Sequence, residues 1–257
     1  MTFISPADDR DMTDPLFYCE HLAEPGALLS LSGDEAHHAV ASRRRHPGDT
    51  LWLFDGRGGG ARTTVLRVTG RGRTLDLRIE ERYTEPPPKQ VIHLASALPK
   101  GDRQTVMLDM ATQLGMDEFT PLECERGIVK PGKNNTDRWR RICIEACKQS
   151  RRLHLPLIHP PATTQEVITG AAARGDAVWI AHPSDQAISL AAAVQPGKAG
   201  ITTILLGPEG GFTDKEITLA IRGGARLLSL GTAILRIETA AVALVSAFAT
   251  LADRTRR

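Results

Sequence analysis

Aromatic residues make up only 4% of this 257-residue chain, and it contains just four cysteines. So few rings argue against a plain single-strand nucleic-acid binder, which stacks successive bases on aromatic faces. Cys19, Cys124, Cys143 and Cys147 show no paired framework and no CxxC motif. That excludes a disulfide miniprotein and leads us to expect buried thiols in a reducing cytoplasm. Long apolar runs are also missing. The longest nearly apolar stretch, Ala240 to Ala252, contains Ser246 and Thr250 and is too short to span about 30 Å of hydrocarbon. No membrane partner is expected. Asp8, Asp9, Asp11 and Asp14 outnumber Arg10 near the start, the opposite of a basic export signal, so the expected location is cytoplasmic. GxGxxG, the P-loop lysine motif, HExxH and GxSxG are all absent, and with them four common nucleotide-binding and hydrolase signatures. His37 and His38 are adjacent, so their side chains diverge, and no third ligand is apparent; both are read as structural, and no metal site is expected.

What is present is globular. Hydrophobic residues reach 41% and charged residues 24%, values that exclude a fully disordered or collagen-like chain. The length favours two domains. A net charge of +2 says little, but its distribution says more: residues 1–40 hold eight acids against Arg10, and residues 41–82 hold ten arginines against five acids. Two readings of that second stretch stand side by side, a phosphate-facing surface and charged strand edges blunted against pairing.

Thr50 to Phe54, Ala61 to Val68 and Thr74 to Ile79 read as strands, separated by the glycine-rich turns Asp55 to Gly60 and Thr69 to Gly72. Short strands with such turns predict a small β-barrel. Pro86-Pro87-Pro88 cannot continue a ladder, which places the domain boundary there. Beyond it, Val91 to Ala97, Phe119 to Leu122, Val178 to Ala181, Ile201 to Leu206 and Leu227 to Leu230 read as strands. Arg103 to Leu114, ending at Gly115, and Asp137 to Arg151 read as helices. Strands alternating with helices predict a parallel α/β sheet. On the second helix Trp139, Ile142, Cys143, Ala146 and Ser150 share one face, and Arg138, Arg141, Lys148 and Arg152 stand on another. The basic stripe suits either RNA backbone or solvent.

Two segments carry the chemistry. Ile204 to Ile217 runs from an apolar strand through Gly207-Pro208-Glu209-Gly210-Gly211 to a helix announced by the capping-box spacing of Thr213 and Glu216. Glycines let a ligand approach backbone closely, and ligands of open α/β sheets bind beyond the carboxyl ends of strands. A ligand-free tight turn is the alternative, and Glu209 there braces the loop or serves a reaction. Leu228 to Ala241 repeats the arrangement, with Gly231 in the turn and Arg236 near the start of a long helix. A cation is unfavourable at that end of the helix dipole unless an anion is close. The anion is a carboxylate such as Glu238, a nucleic-acid phosphate, or charge developing on a substrate base. From the residues alone, the chain is an α/β small-ligand enzyme with a basic, β-rich accessory domain.

With these residues in view, the sequence resembles the ribosomal RNA small subunit methyltransferase E family of the SPOUT superfamily. The resemblance runs from about Leu16 onward. It rests on Leu98-Pro99-Lys100-Gly101-Asp102-Arg103, Leu206 to Phe212, Leu230-Gly231 with Ile234 to Ala240, and Glu145 to Ser150. In the first part His37-His38, Pro47-Gly48-Asp49 and Leu53 to Gly56 also fit. The resemblance implies a PUA-like, RNA-binding β-barrel over residues 1–85 and a SPOUT methyltransferase domain over 86–257, α/β in class, with a parallel sheet and a C-terminal trefoil knot. It implies S-adenosylmethionine as cofactor, a homodimer, and methylation of N3 of a uridine in 16S ribosomal RNA or the 30S particle. Another RNA target, or an RNA-binding homologue without activity, is the alternative. The residues it assigns to the cofactor are Leu98, Leu206, Gly207, Glu209, Gly210, Gly211, Leu230, Gly231, Ile234 and Leu235. Arg236 and Glu209 fall to catalysis, and Arg43, Arg44, Arg45, Arg57, Arg103 and Arg151 to RNA. The chain departs from the family pattern at Pro15 to Tyr18, at Ala39 to His46, and at Arg151, where glycine usually follows the serine.

Overall fold

The computed structural model of the chain describes residues 15–42, 44–132, 135–194 and 199–251; Arg43 lies outside them. The chain divides into two units, Met1–Pro87 with Cys147–Leu155, and Pro88–Ala146 with Pro156–Arg256. The proline-rich boundary expected from sequence anticipates two contiguous pieces, whereas the first unit also takes in a later segment.

In the first unit β1 (Leu16–Tyr18), β2 (Leu28–Ser32), β3 (Thr50–Phe54), β4 (Gly59–Thr69) and β5 (Thr74–Thr84) form one sheet in the order β1-β3-β4-β5-β2. A one-turn helix, α1 (Gly33–His37), and a π-helical turn (His38–Ser42) follow β2. Alternation along β5 sends Leu75, Leu77 and Ile79 inward against Phe17, Leu51, Leu53 and Val65. Register shifts at Arg62/Thr63 and Val65/Arg67 mark bulges in the β4–β5 ribbon, the device by which a sheet bends and twists more strongly. The strand expected to end at Ile79 continues to Thr84, because residues 81–84 pair with Arg62 back to Gly59. Their polar side chains hide a ladder held by backbone bonds.

The glycine-rich turn after β3 is built for close approach. The Gly58 N–H donates to the Leu153 carbonyl at 3.1 Å, and the Leu155 N–H to the Gly56 carbonyl at 2.9 Å. A Cβ on Gly58 would sit 2.5 Å from the Glu85 carbonyl oxygen and 2.6 Å from the His154 ring, and φ there is +93°. The returning segment corrects one sequence expectation. Lys148 does not stand on a solvated face: its ammonium lies 3.0 Å from Glu35, with 9% of the side chain exposed, and 5.6 Å over the Phe17 ring. Glu35 also accepts the Tyr18 N–H at 3.0 Å. Arg151, where the family pattern has glycine, sits at φ +59°, a left-handed conformation in which glycine carries no steric cost.

The second unit holds β6 (Gln90–Ser96), α2 (Arg103–Leu114), β7 (Glu118–Glu123), the start of α3 (Asn135–Ser150), β8 (Leu157–Ile158), β9 (Ala162–Thr163) and α4 (Thr164–Arg174). It continues with β10 (Ala177–Ala181), β11 (Ile188–Ser189), α5 (Leu190–Ala193), β12 (Gly200–Leu206), α6 (Asp214–Arg222), β13 (Arg226–Ser229) and α7 (Ile237–Leu251). Eight strands form a parallel sheet, seven of them in the order β11-β13-β10-β12-β6-β7-β8, with β9 paired to β7 off this path. Ile92, Leu94, Ile204 and Leu206 face Met107, Leu108, Leu244, Val245 and Phe248 of α2 and α7. The alternate residues Ala95 and Leu205 face Val167, Ile168, Ala171 and Ala220 of α4 and α6. Helices on both faces are the usual requirement of a parallel sheet. Gly115 ends α2 at φ +113°, as the sequence predicts. The expected C-terminal strands and helices are present, with β13 ending one residue earlier than read. α4 was not read from the sequence, although Thr163 and Glu166 carry the same capping box as Thr213 and Glu216.

Gly58→Ala should cost roughly 2–4 kcal/mol, combining overpacking with a left-handed backbone. Urea unfolding measures it, and a loss within experimental scatter would show that the turn and the returning segment can move apart freely.

Candidate active site

Parallel register sets the height from which every loop leaves the sheet. Leu206 pairs with Ser96 on one side and with Ala181 on the other, and Ala181 pairs with Leu228. The carboxyl ends of β6, β12, β10 and β13 therefore form one row. The Ala97 N–H donates to the Leu206 carbonyl at 2.8 Å, so Leu98 starts its loop beside Gly207. Loops 97–102, 207–213 and 230–236 leave the same edge, where open α/β sheets bind ligands.

The residues expected to meet a cofactor divide by burial. Leu98 and Leu206 are buried, Leu230 and Leu235 pack partly against the same core, and Ile234 is fully exposed. Gly211 and Gly231 hold φ of +69° and +104°, and a Cβ on either would meet nothing within 4 Å. Backbone there is open to close approach, whereas at Gly207 a Cβ would strike the Phe212 ring at 2.9 Å. Gly210 and Glu209 are exposed at the tip of the loop.

Behind the loop, Glu216 does more than cap. It is buried, and Oε2 accepts the Thr213 N–H at 2.8 Å and its hydroxyl at 3.1 Å. Oε1 accepts the Glu125 N–H and the Thr164 hydroxyl, both at 3.2 Å. One carboxylate thus joins the end of the glycine loop to the turn after β7 and to the start of α4. Sequence spacing signalled only the capping half.

Arg236 immediately precedes α7 and is exposed, and its carbonyl accepts the Ala240 N–H at 2.9 Å. Glu238, one candidate for its counter-ion, is engaged elsewhere: Oε1 lies 3.8 Å from the Arg103 guanidinium. Residues i and i+2 of a helix do not face each other. Among the described residues nothing pairs with the Arg236 side chain, so a cation is held at the positive end of a helix without a protein anion. Arg103, expected at RNA, is an ion-pair partner within the unit. The buried Oε2 of Glu238 has no hydrogen-bond partner among the described residues.

The basic stretch of the first unit resolves into two groups. Arg62–Glu81, Arg67–Asp76, Arg78–Glu80 and Arg82–Glu24 are ion pairs at 2.6–3.0 Å, so charged strand edges account for these. Arg44 and Arg45, with Val40, His46, Pro47, Arg67 and Val68, surround an open cavity of about 450 Å³. Arg57 lies 3.8 Å from Glu20, with both side chains largely exposed. Arg151 belongs to the returning segment described above, and Arg43 falls outside the described residues. Cys143 and Cys147 are buried as expected, but Cys19 and Cys124 are only half-buried. Burial nevertheless raises both thiols, that of Cys124 to about 12 with help from the Glu216 charge.

A polar cluster on the sheet face under α4 was missed in the sequence. His93 Nε2 lies 2.7 Å from the Thr120 hydroxyl, and Nδ1 accepts from Arg174 at 3.2 Å. His159 Nε2 lies 2.9 Å from Glu118, and Arg174 also pairs with Asp176 at 2.7 Å. His93, Glu118 and His159 offer ligand-type atoms within 4.8 Å of one another. The guanidinium of Arg174 already supplies positive charge there, 3.8 Å from Glu118. Burial, chiefly, drives His93 down to about 4, with His159 and Arg174 adding to the effect against the pull of Glu118 and Asp176. The His159 hydrogen bond holds Glu118 below the ordinary carboxylate value.

No helix among the described residues is long and apolar enough to cross a membrane.

A parallel sheet covered on both faces, with glycine loops and an exposed arginine along one edge, defines a ligand-binding α/β domain. The sequence profile of the RNA methyltransferase domain matches residues 85–249, and that of the RNA methyltransferase PUA domain matches 31–73. Ribosomal RNA small subunit methyltransferase E of Mycobacterium tuberculosis is 34% identical over 253 residues, 95% of this chain and 94% of that protein. The protein of the same name from Bacillus subtilis is 30% identical, covering 87% and 90%. The chain belongs to the ribosomal RNA small subunit methyltransferase E family. Among solved structures, the Neisseria gonorrhoeae member bound to S-adenosyl methionine superimposes with a TM-score of 0.81 at 27% identity, covering 93% of this chain and 98% of that one. A Legionella pneumophila methyltransferase in complex with the cofactor SAM gives 0.82 at 30% identity, covering 91% and 96%.

The buried histidine makes stability depend on pH. His93 titrates near 6.5 when unfolded and near 4 when folded, so the unfolded chain takes up the proton first as pH falls. Its contribution is complete above about 6.5 and is lost as pH drops toward 4; Glu118 adds a loss of the same sign at lower pH. Urea unfolding from pH 7 to 4.5 should show this decline in the wild type and a flatter profile in His93→Gln. Equal slopes would mean that His93 does not carry it.

Proposed function

We propose that the chain methylates N3 of a uridine in small-subunit, 16S ribosomal RNA, using S-adenosylmethionine. The observation that carries this reading is the Arg236 guanidinium, exposed beside the glycine loops and without a protein anion among the described residues. The SAM-bound relatives, together with the open backbone at Gly211 and Gly231, support the choice of cofactor. When bound, that cofactor supplies a methyl group activated on a sulfonium.

The chain's own residues have separable tasks. Backbone at Gly207, Glu209, Gly210, Gly211 and Gly231 borders the cofactor. Leu98 and Leu206 form an apolar floor, with Leu230, Ile234 and Leu235 as the wall. N3 of uracil must lose a proton, and the resulting negative charge spreads to the flanking carbonyl oxygens. Arg236 stabilises that charge as it develops, a role that draws strength from being fixed in advance. Glu209, exposed at the loop tip, orients the loop or assists proton removal. The target base must be unstacked for its N3 edge to be reached.

In this reading residues 1–85 form the PUA-like, RNA-binding domain, and 86–257 the methyltransferase domain with its C-terminal segment threaded as a trefoil knot. Arg43, Arg44, Arg45, Arg57 and Arg151 grip phosphates, and Arg103 serves RNA from within its ion pair. The working form is a cytoplasmic homodimer with its sites at the subunit interface.

Methyl transfer from labelled S-adenosylmethionine to small subunits lacking the mark, with the product nucleoside identified by mass spectrometry, tests the whole. Label in N3-methyluridine at one site is expected. Label in another nucleoside would overturn the position, and no label despite cofactor binding would overturn the target. Arg236→Ala should lower transfer about 10²- to 10³-fold while cofactor affinity holds; equal loss of both would make it a binding residue. Arg44→Ala and Arg45→Ala should each weaken RNA binding and reduce its salt slope by about one, and an unchanged slope would remove them from the interface.

A further inference from the structure

Each backbone N–H and C=O of loop 207–213 needs a partner in the protein, in solvent or in a ligand. The Gly211 N–H donates to the Pro208 carbonyl at 2.8 Å. The Thr213 N–H donates to Glu216 Oε2 at 2.8 Å. The carbonyls of the same two peptide units, Gly210 and Phe212, both accept from one guanidinium nitrogen, Nη1 of Arg126, at 2.9 and 3.4 Å. Two alternate peptide planes of the loop are thus held at both ends. The N–H groups of Glu209, Gly210 and Phe212 and the carbonyls of Glu209 and Gly211 have no hydrogen-bond partner among the described residues.

Arg126 belongs to the turn after β7, closed by the Gly127 N–H on the Cys124 carbonyl at 2.9 Å. Its stem lies against Gly210, where an added Cβ would meet Arg126 Cβ at 3.6 Å and Cδ at 3.7 Å. The same turn is fastened from its other side by the Glu125 N–H on buried Glu216. Turn and loop are therefore joined twice, once through a buried carboxylate and once through an exposed guanidinium.

We propose that Arg126 is a positioning residue for the cofactor loop: by fixing the Gly210 and Phe212 carbonyls it presets the orientation of the intervening free N–H and C=O groups that meet the cofactor. This rests on the reading that the loop takes S-adenosylmethionine. Arg126 does not act on the methyl group or on the base. Its effect is to remove loop rearrangement from the cost of binding. Because the side chain is exposed, its loss leaves the packed core and the Glu216 connection in place.

Binding of S-adenosylmethionine and S-adenosylhomocysteine by calorimetry, amide hydrogen exchange and thermal unfolding, each on the full chain, test the inference with Arg126→Ala and Arg126→Lys. Arg126→Ala should weaken both ligands about five- to tenfold, with faster exchange at Gly211 and an unfolding midpoint close to wild type. Arg126→Lys, which keeps the charge and N–H donors on a shorter side chain without the guanidinium's planar geometry, should recover part of the affinity. Wild-type affinity in Arg126→Ala would overturn the inference, and so would an affinity loss matched by a large fall in the unfolding midpoint. A wild-type chain with no affinity for either ligand would instead overturn the functional reading beneath it.

Discussion

A parallel sheet buried on both faces leaves the chain only two edges through which to leave it, and the site depends on that constraint. The register linking Ser96, Leu206, Ala181 and Leu228 brings loops from distant parts of the sequence to one height. Core packing enforces this register. A one-residue slip of β12 would exchange the faces of Ile204 and Leu206 with those of Thr203 and Leu205, setting a threonine against the α2–α7 core and displacing Gly207. The geometry of the glycine loop is therefore protected by the apolar side chains of the sheet core.

Local signals made the site legible. A strand running into glycines and then into a capping box can be recognised within fourteen residues, Ile204 to Ile217, and the same holds for Gly231 and Arg236 before α7. Signals that depend on remote partners were not legible. Residues 81–84 look like polar loop until Gly59 to Arg62 are seen opposite them. His93 sits in an apolar strand, and its meaning comes from Thr120, Glu118, Arg174 and Thr203, none of them near it in sequence. Arg126 is an unremarked cation in a turn until the Gly210 and Phe212 carbonyls are placed beside it. The family resemblance supplied the cofactor and the reaction, which no periodicity encodes.

Charge illustrates the same division. An excess of arginine over residues 41–82 is a fact of composition, but whether it projects a field depends on cross-strand pairing. Arg62 and Glu81 are register partners, as are Arg67 and Asp76, so much of the excess is neutralised across the ribbon. Near the start of α7 pairing has the opposite consequence. Arg103 engages Glu238, and among the described residues Arg236 is left with its charge available.

The first unit is completed by Cys147–Leu155, a segment synthesised only after the second unit's opening stretch, Pro88–Ala146. A nascent chain emerging from the ribosome in order cannot finish the N-terminal unit when its own strands are out; the turn at Gly56 to Gly58 and the Glu35 carboxylate must wait for partners that arrive with the end of α3 and the residues after it. A gene fragment cut at the proline boundary would encode the five strands without the segment that fills the space beside Gly58. Neither unit is therefore a contiguous cassette, and no single cut in the sequence separates one from the other.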